Sequence, residues 1–379
     1  MADNAWGVYI HVPFCVSRCS YCDFNTYEGM GRHEGAYFRA LGSENSAFWA
    51  AGGDCGHAGT VFIGGGTPTS VNPGHIAGLL AQIPRGAGCE VTIESNPGTL
   101  DADKLRVYAG AGVNRLSIGC QSTHDSHLKM LGRIHTYDDF LKSVRAAKNT
   151  GFTNINADLL FGLPGQVFSE WERTLETVVA LGVSHLSCYS LSLEEGTPLY
   201  KAVRDGALPN PDEELDRRMY GFAAAYLRTA GLYQYEISNF AKPGCECRHN
   251  LTYWDGSRYI GLGAGAHSYD GRKRFSNTPS INGYIGRMEG ASKSAVAECV
   301  EINADEKEKE YLILRLRLTR GFSEAEFYRE FGYRFIDKYK SAADKLSEEG
   351  LIDTHTEIGR VRLTPLGMDL ANRVFVEFV

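Results

Sequence analysis

The sequence predicts an α/β fold, in which a partial (β/α)6 barrel of parallel strands is followed by a C-terminal helical domain of winged-helix-like order. Three observations support this prediction. Six short β-rich segments alternate with amphipathic segments through the first two thirds of the chain. Polar and glycine-rich sequences follow several of these segments, at the strand ends where parallel barrels assemble their sites. From about Glu301 the pattern changes to charged, helix-rich segments.

The six strand candidates are short and mostly apolar or β-branched, which is typical of strands buried on both faces. They are Val8–Val12, Thr60–Ile63, Glu90–Glu94, Arg115–Gly119, Asn154–Leu160 and His185–Leu191. The helical candidates are Gly35–Ala51, Asp101–Ala111, Asp138–Thr150, Ser169–Leu181 and Glu213–Thr229. A doubly wound sheet would show the same alternation. The position of the polar motifs favours the barrel.

The segment after about residue 300 predicts a separate domain. Its candidates are three helices, a hairpin and a last helix: Asp305–Leu318, Ser323–Glu330, Phe335–Glu349, Leu351–Leu363 and the segment from Pro365. Residues 301–379 contain 13 Lys and Arg against 16 Asp and Glu, a net charge of −3, so they lack the basic face of a DNA-binding domain. We therefore predict a barrel domain over residues 1–295 and a lid or partner-binding domain over residues 296–379.

The composition argues against several classes of function. The 379 residues carry a net charge of −7, which is unfavourable for non-specific binding of nucleic acid. No stretch approaches the roughly 18 apolar residues that a membrane span needs. The segment Met1–Gly7 has neither basic residues nor an apolar core, so the predicted location is the cytoplasm. There the ten cysteines should be reduced thiols, available as metal ligands.

Three cysteines, Cys15, Cys19 and Cys22, follow the first strand candidate with the spacing C-x-x-x-C-x-x-C. Thiolates are soft ligands that suit iron–sulfur clusters. Three of them on one short loop would bind three irons of a [4Fe–4S] cubane and leave the fourth iron open for an external ligand. A structural zinc site is the alternative, but it normally needs four protein ligands. Cys245 and Cys247 have poor zinc spacing, and their role stays open.

Further polar residues lie at or near the ends of the strand candidates. The run Gly-Gly-Gly-Thr at residues 64–67 closes the second strand, where glycines let backbone N–H groups approach a ligand. Glu94, Gln121 and Asp158 lie in or at the ends of apolar strands, where a buried carboxylate or amide is costly without a partner. Each feature alone is explained as readily by a salt bridge, a cap or a tight turn.

Together these sequences resemble the radical S-adenosylmethionine (SAM) superfamily, and within it the oxygen-independent coproporphyrinogen III oxidase group. The resemblance covers almost the whole chain. It implies that the open iron binds the amino and carboxylate groups of SAM, that reductive cleavage of SAM is the family's chemistry, and that an electron donor serves the cluster. The SAM contacts that it implies are Tyr9, Tyr21, Gly65, Gly66, Thr67, Glu94, Gln121, Arg133 and Asp158.

Two departures separate this chain from the dehydrogenase members of that group. Those members have a fourth cysteine where this chain has Phe24, and a long segment where only eight residues precede Tyr9. Both features resemble instead the HemW-type heme chaperones, whose motif His-Asn-x-x-Tyr-Trp is present here as residues 249–254. The resemblance implies heme as a further cofactor.

Within this motif, His249 would supply an axial nitrogen to heme iron, and Tyr253 and Trp254 would supply aromatic surface against the porphyrin. The alternative is a buried cluster of His and aromatic side chains that closes the barrel. The motif therefore predicts either a heme site or a structural closure.

Three hypotheses of function remain open at this point. The first is a heme chaperone that delivers heme to an acceptor hemoprotein, for example a respiratory one, with a membrane protein as a transient partner. The second is a coproporphyrinogen III dehydrogenase, which oxidatively decarboxylates two propionate side chains. The third is a radical enzyme with an unrelated substrate, which would leave the motif at residues 249–254 unexplained. The acceptor, the number of bound SAM molecules, the oligomeric state and the use of radical cleavage stay open.

Overall fold

The computed structural model describes residues 5–51, 56–291, 293–357 and 359–379. Two large clusters of buried apolar side chains form the cores of a barrel domain and of a smaller C-terminal domain. Residues 1–4, which include much of the segment used to predict the cytoplasmic location, lie outside the described residues. Across the part of the chain that is described, no helix is both long enough and apolar enough to cross a membrane.

Six parallel strands, adjacent in the order of the chain, form the barrel. They are Ala5–Val12, His57–Gly65, Arg85–Ser95, Arg115–Gln121, Asn154–Phe161 and His185–Ser190. All six strand predictions are confirmed, and the α/β fold class with them. Because all six run in one direction, their carboxyl ends meet at one edge of the barrel.

Helices cover the outside of the barrel. They are Glu34–Ala51, Pro73–Leu80, Ala102–Gly110, Asp125–Met130, Tyr137–Asn149, Phe168–Ala180, Pro198–Arg204, Glu213–Thr229 and Ile281–Glu289. The five predicted helices are confirmed to within one residue at each end. Asp101, the predicted start signal, caps its helix by accepting a hydrogen bond from the N–H of Lys104 at 2.8 Å.

The barrel sheet is wider than the sequence predicts. A seventh parallel strand, Tyr259–Leu262, pairs with the first strand, and five antiparallel strands extend the two edges to twelve strands in all. The additional strands are Tyr233–Glu236, Asn239–Ala241, His267–Tyr269, Lys273–Asn277 and Val296–Glu301. These strands have three to six residues each. Such lengths are too short for a clear periodic pattern.

A short helix, Arg248–Trp254, closes the barrel at the end opposite the strand carboxyl ends. We call it the motif helix, because it carries residues 249–254. It contacts the early parts of the second and third strands: Arg248 donates hydrogen bonds to the carbonyls of Gly59 and Gly88, at 3.4 and 2.7 Å. The loop that carries Cys15, Cys19 and Cys22, which we call the cluster loop, follows the carboxyl end of the first strand. The cluster loop and the motif helix therefore lie at opposite ends of the barrel.

The C-terminal domain has the predicted order of helices and hairpin. Its helices are Ala304–Leu316, Glu324–Phe331, Phe335–Glu348, Pro365–Asp369 and Ala371–Phe375, and its short strands are Phe322–Ser323, Ile352–Asp353 and Arg360–Leu363. The division between residues 295 and 296 stays a proposal. The strand Val296–Glu301, on its C-terminal side, pairs with Lys273–Asn277 in the large sheet.

Charged side chains of the C-terminal domain contact the end of the motif helix. Asp255, the residue after this helix, accepts hydrogen bonds from Arg315, at 2.7 Å, and from Arg320. The guanidinium of Arg317 lies 4.4 Å from the ring centroid of Trp254, a favourable cation–π geometry. The docking of the small domain is therefore tied directly to the motif helix.

We expect Asp255→Ala to destabilise the protein by about 1–3 kcal/mol, because Arg315 is mostly buried and would lose its charged acceptor. A drop in the melting temperature of the apo-protein would show this. As a control, Asp138→Ala breaks the exposed pair with Lys142 and should leave the melting temperature nearly unchanged. Equal shifts in the two variants would contradict a structural role for the Asp255 cluster.

Candidate functional site

The cluster loop lies over a cavity of about 410 Å³ at the carboxyl ends of the barrel strands. Ten predicted site residues line this cavity. They are the cysteines Cys15, Cys19 and Cys22 and seven of the residues expected to contact SAM, namely Tyr21, Gly65, Gly66, Glu94, Gln121, Arg133 and Asp158. We call it the cofactor cavity. Thr67 lines a small neighbouring cavity, and Tyr9 lies deeper in the barrel.

The three cysteines are free thiols on a short loop, and all three are partly exposed. Burial raises the pKa of the Cys15 and Cys19 thiols, so a bound metal is needed to hold them as thiolates near neutral pH. Among the described residues no three His, Cys, Asp or Glu side chains converge on a point that could hold a single metal ion. A [4Fe–4S] cluster does not require such convergence, because each thiolate binds a different iron.

Two glycines of the run after the second strand are required by close packing under the cluster loop. Gly65 has a φ of +115°, and a Cβ there would lie 2.6 Å from the ring of His11. A Cβ on Gly66 would lie 2.5 Å from the carbonyl oxygen of Phe14 and 3.0 Å from the Cys15 sulfur. The backbone at this point can therefore approach the cluster site only without side chains.

His11 fastens the cluster loop from below. Its Nε2 donates to the carbonyl of Asn25 at 2.9 Å, and its Nδ1 therefore accepts from the hydroxyl of Tyr9 at 2.9 Å. Tyr9, an expected SAM contact, thus acts on the loop through His11 in this structure.

Arg133 forms the wall beside Cys19. Its Nη1 donates to Asn96 Oδ1 at 2.7 Å and its Nη2 to the Tyr21 hydroxyl at 2.6 Å, while Asn96 in turn donates to Thr67 at 2.8 Å. The Nε of Arg133 is buried without a hydrogen-bond partner. A guanidinium with an unused buried donor suits a carboxylate ligand, which is the group of SAM expected near the open iron.

Glu94 and Asp158 both line the cofactor cavity, from the third and fifth strands of the barrel. Burial, and then repulsion from Asp158, raise the pKa of Glu94 to about 7, and burial also raises the pKa of Asp158. Glu94 accepts a hydrogen bond from the N–H of Gly65 at 3.2 Å. Gln121 adds an amide at a strand bulge, with an uncommon φ of +65°. The wall opposite the cluster loop is therefore acidic, and it suits a cationic ligand.

A second, inner cavity of about 180 Å³ lies between the cofactor cavity and the motif helix. We call it the inner chamber. It shares Glu94, Ser117, Asp158 and Tyr189 with the cofactor cavity. Its other lining residues are Tyr9, Phe62, Arg115, Asn156, Ser187, His249, Asn250 and Tyr253. Arg115, Ser117, Asn156 and Ser187 were not identified from the sequence.

The buried His249 does not fit a heme ligand in this structure. Its Nδ1 is hydrogen-bonded to Thr60 and its Nε2 to Tyr253, both at 2.8 Å, so neither ring nitrogen is available to a metal. Burial lowers its pKa to about 3. The inner chamber is also smaller than the roughly 300 Å³ at which pockets for small organic ligands begin.

The motif instead forms the closure that was the alternative prediction. His249 stacks on Phe62 with 5.2 Å between ring centroids, and Tyr253 packs edge-on against His249. Trp254 lies on the other side of the helix, under Arg317. Heme binding by His249, Tyr253 and Trp254 stays a prediction that would require the motif helix to rearrange.

Comparison with known proteins agrees with this geometry. Residues 9–178 match the radical SAM superfamily, and residues 302–370 match the HemN C-terminal domain. The protein named heme chaperone HemW of Bacillus subtilis is 39% identical over 377 residues, covering 98% of both chains. This chain belongs to the HemW family. The Escherichia coli member is 37% identical over 333 residues, which cover 84% of each chain.

The fold of the HemW family is seen in a more distant solved structure. Coproporphyrinogen III oxidase from Escherichia coli superposes with a TM-score of 0.85 and 22% identity, covering 99% of this chain and 90% of that one. Membership of the radical SAM superfamily implies a [4Fe–4S] cluster and SAM. The cysteine loop, the glycine turn and the unpartnered Arg133 donor fit these two groups. When bound, they would supply one-electron chemistry at the cluster and a cleavable sulfonium.

We expect Cys19→Ser to abolish the cluster absorption, at about 400 nm where Fe–S charge transfer lies, because a hydroxyl is a poor ligand for iron–sulfur clusters. The chain should stay folded, since Cys19 lies on a loop outside the main core. Iron and sulfide analysis and circular dichroism measure the two effects. Cys188→Ser controls for loss of a buried thiol away from the loop. A full complement of iron in Cys19→Ser would contradict the assignment.

We expect Glu94→Gln to raise the melting temperature of the apo-protein at pH 8 by a few degrees, with little effect near pH 4.5. Glu94 holds a proton up to about pH 7 when folded, whereas its ordinary value is 4.5. The folded state therefore binds more protons between these values, so stability falls as pH rises through this window. Glutamine removes that loss. If the difference in melting temperature between wild type and variant were the same at pH 4.5 and pH 8, it would contradict a raised pKa of Glu94.

Proposed function

We propose that this protein is a heme chaperone, which holds a [4Fe–4S] cluster and SAM at the open end of the barrel and delivers heme to an acceptor hemoprotein. The observation that carries the proposal is the full-length similarity to proteins named heme chaperones. The acceptor is a hemoprotein, for example a respiratory one. An electron donor reduces the cluster.

The charges of the cofactor cavity support SAM as the resident ligand. SAM carries a sulfonium and an ammonium group, and Glu94 and Asp158 offer two carboxylates in a partly desolvated cavity. Arg133, with an unused Nε, offers the complementary partner for the single carboxylate of SAM. Asp158→Ala should therefore weaken SAM binding without changing the iron content.

We propose that heme is bound at the open end of the barrel rather than at the motif helix. Phe24, Leu160 and Leu191 line the cofactor cavity, and Phe24 is 65% exposed at its mouth. Apolar surface of this kind favours the faces of a porphyrin. His249, by contrast, is sealed behind the inner chamber.

The second candidate function is a coproporphyrinogen III dehydrogenase. The similarity of fold to coproporphyrinogen III oxidase keeps it in consideration. Phe24 stands where dehydrogenase members have a fourth cysteine. The chaperone proposal therefore has the stronger support, from identity along the whole chain.

A reducing compartment such as the cytoplasm is proposed as the location, because it preserves the free thiolates that the cluster requires. Transfer of heme to a membrane-bound hemoprotein would take place by transient docking of this protein to that partner at the membrane.

We expect the reconstituted protein to bind heme without converting coproporphyrinogen III. Anaerobic heme titration, followed by a coproporphyrinogen assay on the same sample, measures both properties. Measurable protoporphyrinogen formation by the wild type would favour the dehydrogenase instead.

In the same titration, His249→Ala should leave the Soret band and the heme affinity unchanged, because both ring nitrogens are used inside the protein. Phe24→Ser should weaken heme binding, since it removes the exposed ring at the cavity mouth. A shifted Soret band and roughly tenfold or greater loss of affinity in His249→Ala would show instead that the motif helix opens and supplies the ligand.

A further inference from the structure

We propose that Tyr235 and His185 are positioning residues, which hold the Asp158 carboxylate for SAM by linking it through hydrogen bonds to the motif helix. The inference rests on the proposed function to the extent that Asp158 contacts SAM. It assigns a role to two residues that neither line the cofactor cavity nor belong to the cluster loop.

Five groups form a continuous chain of hydrogen bonds, which begins at the end of the barrel that the motif helix closes. The N–H of Cys247, which precedes the motif helix, lies 3.3 Å from the Tyr235 hydroxyl, and that hydroxyl lies 2.9 Å from His185 Nε2. His185 Nδ1 lies 2.7 Å from Asn156 Oδ1. The Asn156 amide nitrogen lies 2.8 Å from Asp158 Oδ1. We call this series the floor chain.

The direction of each hydrogen bond in the floor chain follows from the chemistry of its ends. A backbone N–H only donates, so the Tyr235 oxygen accepts from Cys247. Asn156 Oδ1 only accepts, so neutral His185 donates from Nδ1 and accepts at Nε2 from the Tyr235 hydroxyl. The Asn156 amide then donates to Asp158. Every donor therefore points toward the Asp158 carboxylate, and such alignment strengthens each bond.

The hydrogen bonds of the floor chain are buried, so water cannot easily take the place of a lost partner. His185 has no exposed surface and Asn156 has 1%. Asn156 also donates to Ser117 at 2.7 Å, and Ser117 donates to the second oxygen of Asp158 at 3.1 Å. Both carboxylate oxygens are thus held by hydrogen bonds, and Asp158 lines both the inner chamber and the cofactor cavity.

Hydrogen bonds from both domains fix the end of the floor chain that is formed by Tyr235 and the start of the motif helix. The backbone carbonyl of Tyr235 accepts from the N–H of Thr319, in the C-terminal domain, at 3.1 Å. Glu90 accepts from the N–H groups of Arg248 and His249, both at 3.0 Å, and so fixes the start of the motif helix. Tyr235 therefore stands where the small domain, the motif helix and the barrel meet.

The test is the affinity for SAM of anaerobically reconstituted Tyr235→Phe, measured by calorimetry together with iron content and melting temperature. We expect roughly threefold to tenfold weaker SAM binding, the effect of one lost hydrogen bond, with iron content unchanged. Tyr108→Phe is the control, because Tyr108 is a buried tyrosine of the barrel domain whose hydroxyl has no hydrogen-bond partner. Equal SAM affinity in Tyr235→Phe and Tyr108→Phe would overturn the inference.

A double-mutant cycle separates positioning from general destabilisation. If Tyr235 acts through Asp158, Tyr235→Phe should cause no further loss of SAM affinity in an Asp158→Ala background, whereas additive losses would overturn the inference. His185→Asn, whose amide can still donate to Asn156, should bind SAM more tightly than His185→Phe. Equal losses in these two variants would also count against the floor chain. Unchanged SAM affinity in Asp158→Ala itself would show that the cofactor contact of the proposed function is wrong.

Discussion

The carboxyl groups of Glu94 and Asp158 lie in one partly desolvated cavity, and the ligand that the cavity suits depends on how their negative charge is balanced. Glu94 and Asp158 repel each other, which contributes to the raised pKa of Glu94. Arg115, buried to 2% exposure, lies in the same interior, yet no carboxylate of the described residues is within ion-pair distance of it. Arg115 lowers the pKa of both carboxyl groups, but burial has the larger effect, and both pKa values stay raised. A bound cation would stabilise the ionised carboxylates, and SAM carries a sulfonium and an ammonium group.

Closure of the opposite end is the second constraint. A barrel that ended in solvent at both ends would expose Asn156, His185 and Asp158 to water, and their mutual hydrogen bonds would weaken. The motif helix prevents this, and the C-terminal domain holds the helix through Asp255 and Trp254. In this structure both ring nitrogens of His249 are hydrogen-bonded within that closure. This placement moves the expected heme surface toward the open end, beside Phe24.

Prediction from sequence was most successful where one local signal sufficed. The spacing of Cys15, Cys19 and Cys22 predicted that they lie on one short loop, and six apolar runs predicted the six strands of the barrel. Four residues of the inner chamber were missed, although three of them, Arg115, Ser117 and Asn156, alternate with apolar residues along their strands. That period of two places them on the inner face and was the available signal. The sequence left two roles open for His249, because a buried His and a metal-binding His have the same sequence pattern.

The central claim is that the acidic wall of the cofactor cavity selects a cation. The most direct test compares the affinities of the reconstituted protein for SAM and for S-adenosylhomocysteine, which lacks the methyl group and the positive charge. We expect SAM to bind at least about tenfold more tightly, a difference of roughly 1.4 kcal/mol or more. The preference should shrink in Asp158→Asn. Equal affinities for the two ligands in the wild type would contradict the account.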